Sequence, residues 1–246
     1  MSLSSRTCVF ACVAVAFALL VPYRSVDGFG TAAAGIGNGI PTDSPRPSVP
    51  KRITIIPDSR TSPNDPSLWP QNLQMKLEEE KIEVTAVSIP DPYVFNNKRY
   101  ERFWLSEMDA TYNGLNLSAE TLVVAHGTSA DALMRYIEIR EVWGAVLVCP
   151  SGEIYYAGER HGRAYLWSRM KKTCPWIAMV HGKGDPLMGD AEARAIKDAL
   201  GIPSTLYREI NGGESRFRHH TGPFPAVEEL VAYALNPPVQ APIEDT

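Results

Sequence analysis

Residues that serve acyl transfer occur along the chain in the order Ser129, Asp185, then His219 or His220. A serine hydroxyl becomes a nucleophile when a histidine takes its proton and a carboxylate orients that histidine. The stretch "TLVVAHGTSADALMRYIE" (Thr121–Glu138) carries the first of these groups. It reads as an apolar strand, a turn of small residues and a helix, which is the setting of a strand-to-helix nucleophile turn. Asp185 lies in "HGKGDPL" after a second apolar run, and the two histidines close "NGGESRFRHH".

Each candidate also has a plainer role. Thr128 or Ser129, just ahead of a helix, suits an N-cap that satisfies first-turn N–H groups. Asp185 before Pro186 can start a turn. His219 and His220 follow Arg216 and Arg218 and fit a solvated loop equally well. No Cys/His spacing suits zinc, so no metal is expected. Cys149 and Cys174 read as buried small hydrophobes.

The elements that must position these groups alternate. "RITIIP", "IEVTAVSIP", "TLVVAHG", "VWGAVLVCP", "WIAMVHG" and "STLYREI" read as strands. "LWPQNLQMKLEEE", "RYERFWLSEMDATY", "SADALMRYIEI", "AYLWSRMKKT", "GDAEARAIKDALG" and "FPAVEELVAYAL" read as helices between or after them. Strands that are apolar throughout belong in a sheet covered on both faces, and strand–helix alternation makes it parallel. The expected fold is a three-layer α/β domain with about six mostly parallel strands and helices on both faces. Ligands of such sheets bind beyond the carboxyl ends of the strands. Those are the loops that carry Asp58, Ser129, Asp185 and the two histidines.

Outside this domain the composition changes. Residues 1–28 hold one early cation, Arg6, and an apolar run from Cys8 to Val21, shorter than the ~20 residues that cross a bilayer. A signal peptide is the first expectation, with a signal anchor or plastid leader as rivals. It directs the chain to the secretory pathway, or to an organelle on the rival reading. Residues 29–51 are rich in Gly, Ala, Pro and Ser and read as a linker. Residues 52–235 form the domain, and 236–246 a Pro-rich tail. Asn116-Leu117-Ser118 is a glycosylation sequon, relevant only in a secretory route. A net charge of −4 advertises no nucleic-acid partner, and no membrane span is expected beyond the leader.

Several segments, in order, resemble one family: "IPDP", "FWLSEM", "TLVVAH" followed by "ALMRY", "AVLVCP", "GERHGRAYLW" with "KKTCPWI", and "GKGDP". They are similar to the small serine hydrolases of the retinoblastoma-binding protein nine type and their bacterial relatives, from about Arg52 to Leu235. The resemblance implies a compact α/β-hydrolase fold and a Ser-Asp-His triad. It also implies hydrolysis of small esters or amides, without metal or organic cofactor. Asp185 falls on the family's acid. Gly127 falls on its nucleophile, because the family's Gly-His-Ser-Ser-Gly turn is here Ala-His-Gly-Thr-Ser. Glu214 follows Gly212-Gly213 where the family places its histidine. Pro57-Asp58-Ser59-Arg60 replaces a glycine-rich segment near the oxyanion site, to which Thr128 also belongs. "GLNLSAE" lacks the cysteine of a retinoblastoma-binding motif, so that partner is not carried over.

Two functions follow as expectations. One is a degenerate hydrolase that keeps a pocket for a small ester- or amide-like ligand, or for a protein partner. The other is an active enzyme with a displaced triad of Ser129, Asp185 and His219 or His220. Against the second, two residues rotate the start of a helix by ~200° and aim Ser129 elsewhere.

Overall fold

The computed structural model describes residues 47–58, 61, 65–87, 117–150, 154–156, 159–161, 165–185, 188–211 and 219–237. The leader, most of the linker, the expected helix Arg99–Tyr112, Asn116, Glu214 and all but two residues of the tail lie outside the described residues.

The chain order is β1 (Arg52–Ile56), α1 (Trp69–Glu79), β2 (Glu83–Ala86), β3 (Thr121–His126), α2 (Thr128–Tyr136) and β4 (Gly144–Val148). Then come β5 (Ile154–Tyr156), β6 (Glu159–His161), α3 (Trp167–Thr173), β7 (Trp176–Gly182), α4 (Asp190–Leu200), β8 (Tyr207–Ile210) and α5 (Pro225–Leu235). Six strands form one all-parallel sheet in the order β2-β1-β3-β4-β7-β8. This is the expected α/β-hydrolase-like fold.

Position in the sheet explains the strand sequences. Every residue of β3 and β4 is buried, and so is all of β7 after Trp176. Central strands covered on both faces need continuous apolar runs, and "TLVVAH", "GAVLV" and "WIAMVHG" supply them. The edge strand β2, "EVTA", alternates exposed and half-buried residues. The helices bury one stripe each. On α5 it is Val227, Leu230, Val231 and Ala234, at the spacing of a helical face. Pro225 opens that helix at a position whose N–H needs no partner. On α4 the stripe is Ala193, Ile196 and Leu200, and Gly201 at φ 69 closes the helix.

Two features depart from the sequence expectation. "EIYYAGERH", assigned no element from the sequence, contains the antiparallel hairpin β5–β6. Its three-residue strands are too short for alternation to declare them. Ordered contacts also begin ahead of β1, where the Trp143 indole N–H donates to Pro47 O at 2.9 Å.

The strand order reverses between β1 and β3. The chain leaves β1 for the edge strand β2, then returns to the other side of β1. At such a switch point the loops diverge and leave a crevice beyond the strand ends. Asp58, two residues past β1, and Gly127, next after β3, lie at this switch point.

Candidate active site

Gly127 joins β3 to α2 with φ 57 and ψ −123. Positive φ costs glycine nothing and strains other residues. Its N–H donates to Val148 O at 2.8 Å, which pins the turn to β4. A side chain on this residue has no room. A Cβ built there lies 2.2 Å from Asp58 Oδ2 and 3.1 Å from Asp58 Cγ.

Asp58 is buried, and its carbonyl accepts the Thr61 N–H at 2.7 Å in a short turn. Its Oδ2 accepts the Thr128 backbone N–H at 3.2 Å and the Thr128 hydroxyl at 3.4 Å. Thr128 is the first residue of α2, so that N–H is one of the donors a helix start leaves open. The carboxylate also meets the positive end of the helix dipole. The space that a side chain at Gly127 would need is therefore filled by a carboxylate from the segment after β1.

Ser129 does not cap the helix. The N-cap is Gly127, and no side chain caps there. The fully buried Ser129 hydroxyl donates to Pro57 O at 2.5 Å, across to the exit of β1. The cap expectation fails because Thr128 and Ser129 already lie inside the first turn. Both side chains tie α2 to the segment after β1. No described histidine lies within hydrogen-bond distance of Ser129 Oγ.

The histidine loop returns along α1. Trp69 N–H donates to His220 O at 3.1 Å and Gly222 N–H to Ser67 O at 2.8 Å, around the Leu68–Thr221 bridge. His220 Nε2 lies 2.9 Å from Pro223 O, and its ring sits 4.9 Å from that of Phe224. His219 is exposed. His126 is fully buried with Trp69 edge-on at 5.6 Å, and Trp69 meets Phe224 at 5.5 Å. These rings build a wall behind the elbow.

Asp185 is buried just beyond β7, where its N–H donates to Gly182 O at 3.1 Å. A residue that the sequence reading passed over organises this loop. Asp190 Oδ1 accepts the Gly184 N–H at 2.9 Å and lies 3.2 Å from His181 Nε2. The Gly184 N–H, then His181, hold the Asp190 carboxyl below the usual carboxylate range. Its only sequence signal was an acidic residue in the first turn of a helix. A depressed pKa means the ionised tie is fully present above the ordinary carboxylate value and is lost as pH falls through the depressed one. The Gly184 amide should accordingly be protected from hydrogen exchange at neutral pH, and Asp190→Asn should lower its protection factor. An unchanged protection factor would show that another group holds the loop.

No family model matches the chain. It is 27% identical over 133 residues to the serine hydrolase RBBP9 of Rattus norvegicus, covering 52% of this chain and 67% of that protein. Among solved structures, the ydeN gene product of B. subtilis superposes with TM-score 0.60 at 17% identity, covering 75% of this chain and 98% of that one. TT1662 from Thermus thermophilus gives 0.52 at 13% identity, over 77% and 91% of the two chains.

Proposed function

We propose that the chain is a member of the RBBP9-like serine hydrolase family that has given up serine acyl transfer at the turn after β3 while keeping the switch point between β1 and β3 as a binding site. One observation carries this reading. The nucleophile's place is a glycine, and the space its side chain would need is taken by the Asp58 carboxylate. A hydrolase aims N–H donors at the oxygen that gains charge in the transition state, each worth about 3–4 kcal/mol. Here the Thr128 N–H is spent on a resident carboxylate. That negative charge repels a developing oxyanion rather than stabilising it. The ligand of this reading is a small ester- or amide-like molecule, the class that the resemblance to RBBP9 implies.

Ser129 gains nothing from its position two residues on. Its hydroxyl is buried and committed to Pro57 O, and His220 Nε2 lies against Pro223 O. A fluorophosphonate probe is therefore expected to leave the protein unlabelled, with Ser129→Ala giving the same result. Stoichiometric labelling that Ser129→Ala abolishes would overturn the proposal in favour of the displaced triad.

A further inference from the structure

Away from the turn after β3, one surface differs in charge from the molecule as a whole. The chain leaves α2 through Ile137–Val142, and α3 is pinned beside that exit at both ends. At one end the Leu166 N–H donates to Glu138 Oε1 at 2.7 Å. At the other the Thr173 hydroxyl donates to Ile137 O, and the Val142 N–H to Thr173 O at 3.2 Å. Met170 and Thr173 are the buried residues of α3. The exit and α3 therefore lie side by side and present one continuous outer strip.

That strip is apolar and basic at once. Ile139 is 45% and Leu166 39% exposed, two of the three large hydrophobic side chains that stand out to solvent among the described residues. Arg140, Arg169, Lys171 and Lys172 are exposed around them, and none forms an ion pair with a described residue. The half-buried Glu141 is the one acid in Ile139–Val142 and Leu166–Pro175. The whole chain has 28 acidic against 24 basic residues, so the strip is a locally positive face on an anionic protein. The helix dipole accounts for Lys171 and Lys172 in the last turn of α3. It does not account for Arg169, which stands in the first turn, where an acid is favoured and none occurs.

A protein partner suits this strip poorly. Lysines are depleted from protein interfaces, whose centres lose their water. The headgroup layer of an anionic bilayer suits it well. Aliphatic tips enter the acyl boundary there, while the cations beside them stay hydrated against lipid phosphates and carboxylates. A half-buried tryptophan, Trp167, stands between Leu166 and Arg169, and that side chain favours the same level of a membrane. No described helix is long and apolar enough to cross a membrane, so the contact is peripheral.

We infer that the exit of α2 and the outer side of α3 form a peripheral docking face for an anionic lipid bilayer. Ile139 and Leu166 are its apolar contacts, and Arg140, Arg169, Lys171 and Lys172 its cations. This face does not depend on the state of the turn after β3.

The apolar run Cys8–Val21 would take up lipid of either charge, so the test reads the face itself. The full chain is mixed with vesicles of phosphatidylcholine alone or of a phosphatidylserine-rich mixture. Exposed lysines are then acetylated briefly by an impermeant ester and followed by mass spectrometry. Phosphatidylserine should slow acetylation of Lys171 and Lys172 by about tenfold and leave the α1 residue Lys76 unchanged. Raising salt to about 1 M, where the Debye length is ~3 Å, should abolish that protection. Arg169→Glu with Lys172→Glu should cut the protection of Lys171 at least about tenfold, and Ile139→Ser with Leu166→Ser by a similar factor. All four positions are exposed, so the fold should bear these changes. Equal protection on both kinds of vesicle is what the leader alone would give and overturns the inference. So does no protection on phosphatidylserine. Protection by soluble polyglutamate as strong as that by vesicles would also overturn it, in favour of an acidic protein partner.

Discussion

Glu138→Ala is expected to destabilise the domain by ~3–5 kcal/mol, the cost of leaving a buried charge without its partner. Arg135 Nη1 lies 3.1 Å from Glu138 Oε1, with the two side chains 5% and 0% exposed. The same oxygen accepts the Leu166 N–H at 2.7 Å, and the Arg135 guanidinium lies 3.8 Å over the Tyr165 ring. One ion pair at the C-terminal end of α2 therefore holds Tyr165 and Leu166, where the excursion that carries the β5–β6 hairpin returns to α3. For a domain of this size the loss corresponds to a fall in melting temperature of roughly 10 °C. Glu138→Gln keeps an acceptor for Leu166 and should cost less than alanine. Replacing both charges by apolar residues of similar volume should cost least, because desolvation of the pair is then avoided. Urea denaturation of the three variants gives the ranking. A loss below ~1 kcal/mol for Glu138→Ala is the range of an exposed pair and would show that solvent reaches the site.

That pair marks the boundary between what the sequence discloses and what it conceals. "MRYIE" states the three-residue spacing of Arg135 and Glu138, but not their burial, which depends on a segment nearly thirty residues later. The sheet was legible because β3, β4 and β7 need apolar residues at every position, and their shortness and flanking turn residues set them apart from buried helices. The hairpin was illegible for the opposite reason, since its strands of three residues hold no period. At the elbow, Gly127 and Asp58 each stood out as departures from the family pattern. That they are one departure was invisible, because the carboxylate and the helix start it serves are 70 positions apart. Asp190 was hidden by its ordinariness as an acidic residue in a first helical turn.

The coupling of Asp58 and Gly127 leads to the second large effect. Gly127→Ser is expected to destabilise the fold and to remain unlabelled by a fluorophosphonate. The new Cβ would lie 2.2 Å from Asp58 Oδ2, so the carboxylate must swing away from Thr128 and lose both of its bonds there. Overpacking of this kind costs about 1–3 kcal/mol, and a non-glycine residue at φ 57 adds strain of similar size. Asp58→Gly removes the obstruction and frees the Thr128 N–H. In that background Gly127→Ser should cost less, with a favourable coupling of about 1–3 kcal/mol in a double-mutant cycle read by urea denaturation. Losses that add to within ~0.5 kcal/mol would show that the two residues are independent and that the elbow is not filled by Asp58 in solution. The double variant should still turn over no ester. It has a serine and a donor, but on the proposed reading Glu214 takes the histidine's place in the sequence, and an unactivated hydroxyl is a weak nucleophile. Stability returns before chemistry because packing at the elbow needs two residues to change together, whereas acyl transfer needs a third.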